Sequence, residues 1–297
     1  MKLTIAAGVL AAAALSFTAP ASASLPPPLP RPNTSFQSGS LHVDVYGTAG
    51  KPALIFIPGL LCGPWEWAGE IAQFSRKYTI YALTLPGFDG RPAIPGPLFP
   101  RVTADFWSML DAQRIERPTV IGHSLGGTLA IVLGEQHPQR LRAIVAVDGL
   151  PVFPGMENLS AEQRQAAAQR LSAALASARN PQAFEQTEKT YVLPALMSSP
   201  GDVAAVAPLM AKSDPQAAAQ WAAEDLRMDA RADLSKITVP LLEIAPEGAL
   251  VPYYKTLVAG DPTATVEAVG NSRHFIMYDQ PQALHALIAR FLERPGP

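Results

Sequence analysis

The stretch Thr119-Val-Ile-Gly-His-Ser-Leu-Gly-Gly127 constrains this chain more than any other. A short β-branched run enters it and a small-residue, helix-compatible run leaves it. Gly122-His-Ser-Leu-Gly126 is therefore a G-x-S-x-G pattern set between a strand and a helix, the context that gives the pattern meaning. Such a turn is tight enough to strain the Ser124 backbone and lift its hydroxyl above the edge of a sheet. Side chains at 122 and 126 would meet the neighbouring strand and helix, which explains the glycines there.

The rest of the chain fits a sheet around that turn. Ser40 to Tyr46 alternates apolar and polar residues and reads as an edge strand. Ala53–Ile57, Thr79–Leu83, Thr119–Ile121, Ala143–Val147 and Val239–Ile244 are short, nearly continuous apolar runs, with a weaker one at Thr263–Val269. Runs of that kind suit strands buried on both faces of a parallel sheet. Helical patterns lie between most of them, at Trp67–Phe74, Val102–Gln113, Thr128–His137 and Pro281–Leu292. The alternation predicts a doubly wound, mostly parallel α/β fold. It breaks between residues 150 and 232, which carry no convincing strand. Ser160-Ala-Glu-Gln163 is a capping box whose helix should stop before Asn180-Pro181, and Asp214-Pro215 opens another helix. A helical excursion that returns to the sheet predicts an inserted lid.

The amino end reads differently. Lys2, an apolar run from Leu3 to Leu15 and Ala21-Ser-Ala23 form a secretory signal with a cut after Ala23. The run is too short for a permanent membrane anchor. The expectation is an exported protein, periplasmic or secreted. Residues 24–35 should form a Pro-rich leader, with ordered structure from about Phe36. The core is expected over 36–149 and 233–297. With 297 residues, 48% of them hydrophobic, the chain can build one large domain. A formal charge of −2 recommends neither nucleic acid nor an anionic membrane as partner. The one cysteine, Cys62, excludes an internal disulfide and reads as a buried filler. No Cys/His cluster suggests a metal, and no cofactor is expected.

A serine is a poor nucleophile at neutral pH without a base, a group that orients the base, and donors for a developing oxyanion. Among five histidines, His274 lies just after the last strand and just before the last helix, and is the expected base. His42, His137 and His285 read as structural, and His123 should point away from the nucleophile and pack. The Leu125 amide, at a helix start, and the Leu60 amide, in the turn Pro58-Gly-Leu-Leu-Cys62 after a strand, are the expected oxyanion donors.

On these residues the chain resembles the α/β-hydrolase family, in particular its lidded serine esterases and lipases, over residues 36 to 293. The anchors are Ile57-Pro-Gly-Leu60, Leu83-Thr-Leu-Pro-Gly-Phe88, the elbow, and His274-Phe-Ile-Met277. The family usually has His where Pro58 stands; the backbone donor survives that change. The family's usual acid falls where this chain has Gly248. Two carboxylates compete in its place: Asp148, at the end of the strand Ala143–Val147 and the preferred one, and Glu247 beside Gly248. Asp279 should cap the final helix. The resemblance implies an acyl-enzyme cycle on carboxylic esters with an apolar portion. Lactone, amide or carbon–carbon cleavage and perhydrolysis use the same triad, and a non-catalytic ligand binder uses the same scaffold. Trp65 and Phe153 are the expected pocket residues. Phe184, Tyr191, Met197 and Met210 of the lid are weighed as pocket or lid core.

Overall fold

The computed structural model describes residues 28–177 and 180–294. The expected signal and cut site, residues 1–23, lie outside the described residues. Eight strands form one sheet: β1 (Thr34–Ser38), β2 (Leu41–Gly47), β3 (Ala53–Ile57), β4 (Thr79–Thr84), β5 (Thr119–His123), β6 (Ala143–Val147), β7 (Leu241–Ala245) and β8 (Ala264–Ala268). Their order is β1-β2-β4-β3-β5-β6-β7-β8. The first two pairings are antiparallel and the remaining five parallel.

Strands β5 and β6 are buried at every position. That is the condition for a parallel strand covered by helices on both faces, and it explains their unbroken apolar character. Helices α1 (Ala68–Phe74), α2 (Leu98–Gln113), α3 (Leu125–Gln136) and, near the carboxyl end, α11 (Pro281–Leu292) supply the cover. In α11 the buried residues include Leu284, Leu287, Ile288 and Phe291, spaced i, i+3, i+4, i+7 as one apolar face demands.

Two expectations at the amino end need correction. Order begins before Phe36, because β1 starts at Thr34 and the Asn33 amide already donates to Val45. The Ser40–Tyr46 run is also not the edge: β2 is flanked by β1 and β4. The mostly exposed sequence TSFQS of β1 buries too little to show a period.

The excursion holds α4 (Ala161–Ala176), α5 (Pro181–Thr187), a π-helical turn (Glu188–Val192), α6 (Leu193–Leu196), α7 (Pro200–Met210) and α8 (Pro215–Arg227). Both caps form: Ser160 and Gln163 bond reciprocally, and Asp214 accepts from the Gln216 and Ala217 amides. A bridge between Val152 and Asp229 draws the two ends of the excursion together. Trp221 anchors it from below, donating its ring N–H to the Pro86 carbonyl at 3.1 Å. After β7 the chain forms α9 (Val251–Leu257), and after β8 the short α10 (Ile276–Asp279). No helix among the described residues is long and apolar enough to cross a membrane.

Candidate active site

The site lies at the carboxyl ends of β5 to β8, where an open α/β sheet presents its loops. Ser124 joins β5 to α3 with φ 52° and ψ −121°, a conformation that costs an L-residue of order 1–3 kcal/mol. The close packing that enforces it is measurable. A Cβ on Gly122 would lie 2.0 Å from the Gly126 carbonyl oxygen, and one on Gly126 would lie 2.3 Å from that of Ile57. Ser124 donates its amide to Val147 at 2.9 Å, so the elbow is pinned to the end of β6.

One residue further, Asp148 also has positive φ, 48°. Its amide donates to Ile244 on β7. Its side chain reaches across to the loop between β8 and α10, where Oδ2 lies 2.5 Å from His274 Nδ1. The other oxygen, Oδ1, accepts from the Tyr254 hydroxyl of α9. Burial works to raise the Asp148 carboxyl, but the His274 ring, the Tyr254 hydroxyl and the His123 ring together hold it below the usual carboxylate range. The contact fixes Nδ1 of His274 as the nitrogen facing the carboxylate and leaves Nε2 for a reacting group. Ser124 is half-buried, and the His274 side chain is 21% exposed. The hydrogen bonds among the described residues do not include one from Ser124 Oγ to His274; in ligand-free sites that bond commonly tightens only with substrate.

Glu247 does something else. Its Oε1 accepts from the Asn271 amide at 3.0 Å and braces the turn before His274. Asp279 is a correction: Gln280 occupies the cap position of α11 without a side-chain bond. Asp279 accepts instead from the Ser198 amide (2.8 Å), the Ser198 hydroxyl (3.0 Å) and the Arg273 amide (2.7 Å). With the Phe275 amide donating to Leu196 and Arg273 to Met197, the lid grips the His274 loop directly.

The turn after β3 is closed by the Cys62 amide on the Gly59 carbonyl, with Leu61 at φ 67°. Among the described residues the Leu60 and Leu125 amides donate to no backbone acceptor outside their own elements. Leu125 is the first residue of α3, where amides are free and the helix dipole is positive. A Cβ on Gly59 would lie 3.4 Å from Ser124 Cβ, which sets this turn beside the serine. Cys62 is fully buried, and burial pushes its thiol well up, as suits an inert filler.

The pocket expectations fare unevenly. Trp65 is 8% exposed and belongs to the main core. Phe153 packs between two small apolar clusters at the base of the lid. Phe184, Met197 and Met210 are lid core, while Tyr191 is 57% exposed. Among the described residues no group of three or more His, Cys, Asp or Glu side chains is arranged to hold a metal ion.

Sequence reasoning missed two side chains here and the contacts of a third. Tyr254 supports Asp148. Glu66, on the turn before α1, accepts from the Gly59 amide through Oε2 at 2.9 Å and contacts His123 Nδ1 through Oε1 at 2.8 Å. His123 is buried and packs, as expected, and its Nε2 lies 3.0 Å from the His274 carbonyl oxygen. Burial disfavours charge on His123, yet the Glu66 carboxylate outweighs it and raises the ring's affinity for its proton.

A mostly parallel sheet with a strained serine elbow at one strand end and a carboxylate-bound histidine beyond the last strand defines a hydrolase scaffold. The chain belongs to the alpha/beta hydrolase family, which it matches over residues 54–287. It is similar to 3-oxoadipate enol-lactonase 2 of Acinetobacter baylyi, 26% identical over 268 residues that cover 87% of this chain and 95% of the relative. A 2-succinyl-6-hydroxy-2,4-cyclohexadiene-1-carboxylate synthase of Escherichia coli O1:K1 / APEC is 34% identical over 128 residues, 42% of this chain and 47% of that one. Among solved structures, a thermophilic esterase from Thermogutta terrifontis superposes with a TM-score of 0.70 at 17% identity, covering 87% of this chain and 98% of that one.

Proposed function

We propose that this hydrolase cleaves carboxylic esters through an acyl-enzyme on Ser124, His274 and Asp148. The observation that carries the reading is the 2.5 Å contact between His274 Nδ1 and Asp148 Oδ2, Asp148 following Val147, to which the Ser124 amide is bonded. In the proposed cycle His274 Nε2 takes the Ser124 proton as Oγ bonds to the carbonyl carbon. The carbonyl oxygen becomes an oxyanion held by the Leu60 and Leu125 amides, each such donor contributing ~3–4 kcal/mol. Collapse breaks the bond to the leaving alkoxide, which takes the proton from His274. Water then attacks the acyl carbon and gives one proton to His274; collapse breaks the bond between that carbon and Oγ, Oγ takes the proton back from His274, and the acid leaves. No step needs a metal or organic cofactor.

A lactone is an internal ester, and the likeness to an enol-lactonase along nearly the whole chain favours lactones as a second substrate class. An apolar portion in the substrate is consistent with the half-buried Leu60 in the turn beside the serine. The test is treatment with a fluorophosphonate followed by peptide mass analysis, with p-nitrophenyl esters and lactones assayed in parallel. The reading expects a Ser124 adduct in wild type, none in Ser124→Ala, and ester turnover above lactone turnover. An unlabelled Ser124 in folded protein favours a ligand-binding role and sinks the proposal.

We further propose export through the signal at residues 1–23. Its support is the charged start, the apolar run and Ala21-Ser-Ala23. Amino-terminal sequencing of protein made in a Gram-negative host should read from Ser24 in the periplasm or medium. Full-length chain retained in the cytoplasm refutes it.

A further inference from the structure

Three chain segments must converge for the proposed chemistry: the turn after β3, the elbow after β5, and the loop carrying His274. One buried relay touches all three. The Gly59 N–H donates to Glu66 Oε2; Glu66 Oε1 meets His123 Nδ1; His123 Nε2 meets the main-chain oxygen of His274. Gly59 precedes the Leu60 donor, His123 precedes the nucleophile, and the last contact falls on the proposed base itself. Each distance lies between 2.8 and 3.0 Å.

With Glu66 ionised, its carboxylate and the main-chain oxygen of His274 both accept, so both ring nitrogens of His123 would donate, as in an imidazolium. Side-chain exposure is 1% for His123 and 0% for Glu66. Trp67, Phe275 and the His274 ring wall it in, with ring centroids 6.4, 5.1 and 4.5 Å away. A buried pair adds little net stability compared with apolar residues of the same size, because desolvation offsets the attraction. Its geometric effect is larger. Charge-assisted bonds are short and directional, and a misplacement of about 1 Å in a catalytic constellation can cost on the order of 100-fold in rate.

We propose that Glu66 and His123 form a buried ion pair that positions the Leu60 amide and the His274 loop around Ser124. Neither touches the reacting atoms, so both are positioning residues. The inference rests on the serine-hydrolase reading above.

The test compares wild type, Glu66→Gln and the apolar double variant Glu66→Met/His123→Leu. The readout is phosphonylation of Ser124 by a fluorophosphonate, split into its maximal rate and its half-saturating concentration. Gln still accepts from the Gly59 amide and donates to His123 Nδ1, so Glu66→Gln should stay within about fivefold of wild type. The double variant should fold, as apolar replacement of buried pairs usually allows, yet lose roughly 30- to 100-fold in maximal rate at a near-constant half-saturating concentration. A double variant within threefold of wild type overturns the proposal. A second measurement uses the native protein and does not depend on any variant folding. Ring-nitrogen NMR should show both His123 nitrogens protonated at pH 7; an unprotonated ring nitrogen there refutes the ion pair. Loss of Ser124 labelling in wild type would instead be the failure of the hydrolase reading, and is told apart on that ground.

Discussion

The Tyr254 hydroxyl and the His274 ring hold opposite oxygens of one carboxylate, Asp148. With both lone-pair faces occupied, the carboxylate has one orientation, and His274 inherits it. Tyr254→Phe removes one holder and leaves a buried acceptor without its donor. The expected result is a fall in kcat of about tenfold and a loss of ~1–3 kcal/mol in stability. Steady-state kinetics per titrated serine, with urea unfolding of both proteins, checks this; unchanged values in both would contradict it.

The two carboxylates weighed from the sequence now separate. Asp148→Asn keeps the shape but presents an amide to Nδ1, favouring the wrong ring tautomer, and should cost on the order of 10⁴ in kcat. Glu247→Gln can still accept from the Asn271 amide and should change kcat less than about threefold. The reverse ranking in an ester assay would move the orienting role to Glu247.

Asp279 ties the lid to the His274 loop through three bonds from Ser198 and Arg273. Bonds to a charged group contribute ~1.5–3 kcal/mol each, although losses at one residue are not additive. Asp279→Ala should therefore lower Tm by about 5 °C or more and reduce kcat, since the loop bearing His274 loses its brace. Calorimetry and kinetics on the same samples test both; a lowered Tm with unchanged kcat would make the contact purely structural.

Glu188, on the π-helical turn of the lid, is 2% exposed, and burial raises its carboxyl to about 7. A raised carboxyl favours the protonated folded form. That stability is fully present below the unfolded value near pH ~4.3 and is lost as pH climbs through about 7. Glu188→Gln removes the titration, so the variant should match wild type at pH 4 and exceed it by up to roughly 3 kcal/mol at pH 8. Chemical denaturation at the two pH values measures the difference. An equal gap at both would show that the carboxyl does not titrate in that window.

Much of the scaffold was legible because its signals are local. The runs at Ala53–Ile57 and Ala143–Val147 became strands with those bounds, and Pro281–Leu292 became a helix with the predicted limits. The caps at Ser160 and Asp214 read correctly because a capping side chain bonds to amides only two or three residues away. Strand β1 escaped notice because an exposed, polar strand is held by main-chain pairing with β2, and such pairing leaves no mark on side-chain pattern. Asp279 was assigned the wrong partner for a related reason. Cap statistics describe neighbours along the chain, whereas its partner Ser198 is 81 residues distant.

Local sequence determined that a serine would be held on a strained strand-to-helix turn, since only glycine leaves room for the carbonyls that pack against positions 122 and 126. Tertiary structure alone decided which acid meets His274 and that Glu66 and His123 bridge the three site segments. Asp148 and His274 are 126 residues apart, and Glu66 and His123 are 57. Contacts at such separations follow from strand order and the fit of packed helices, which periodicity and turn chemistry do not encode.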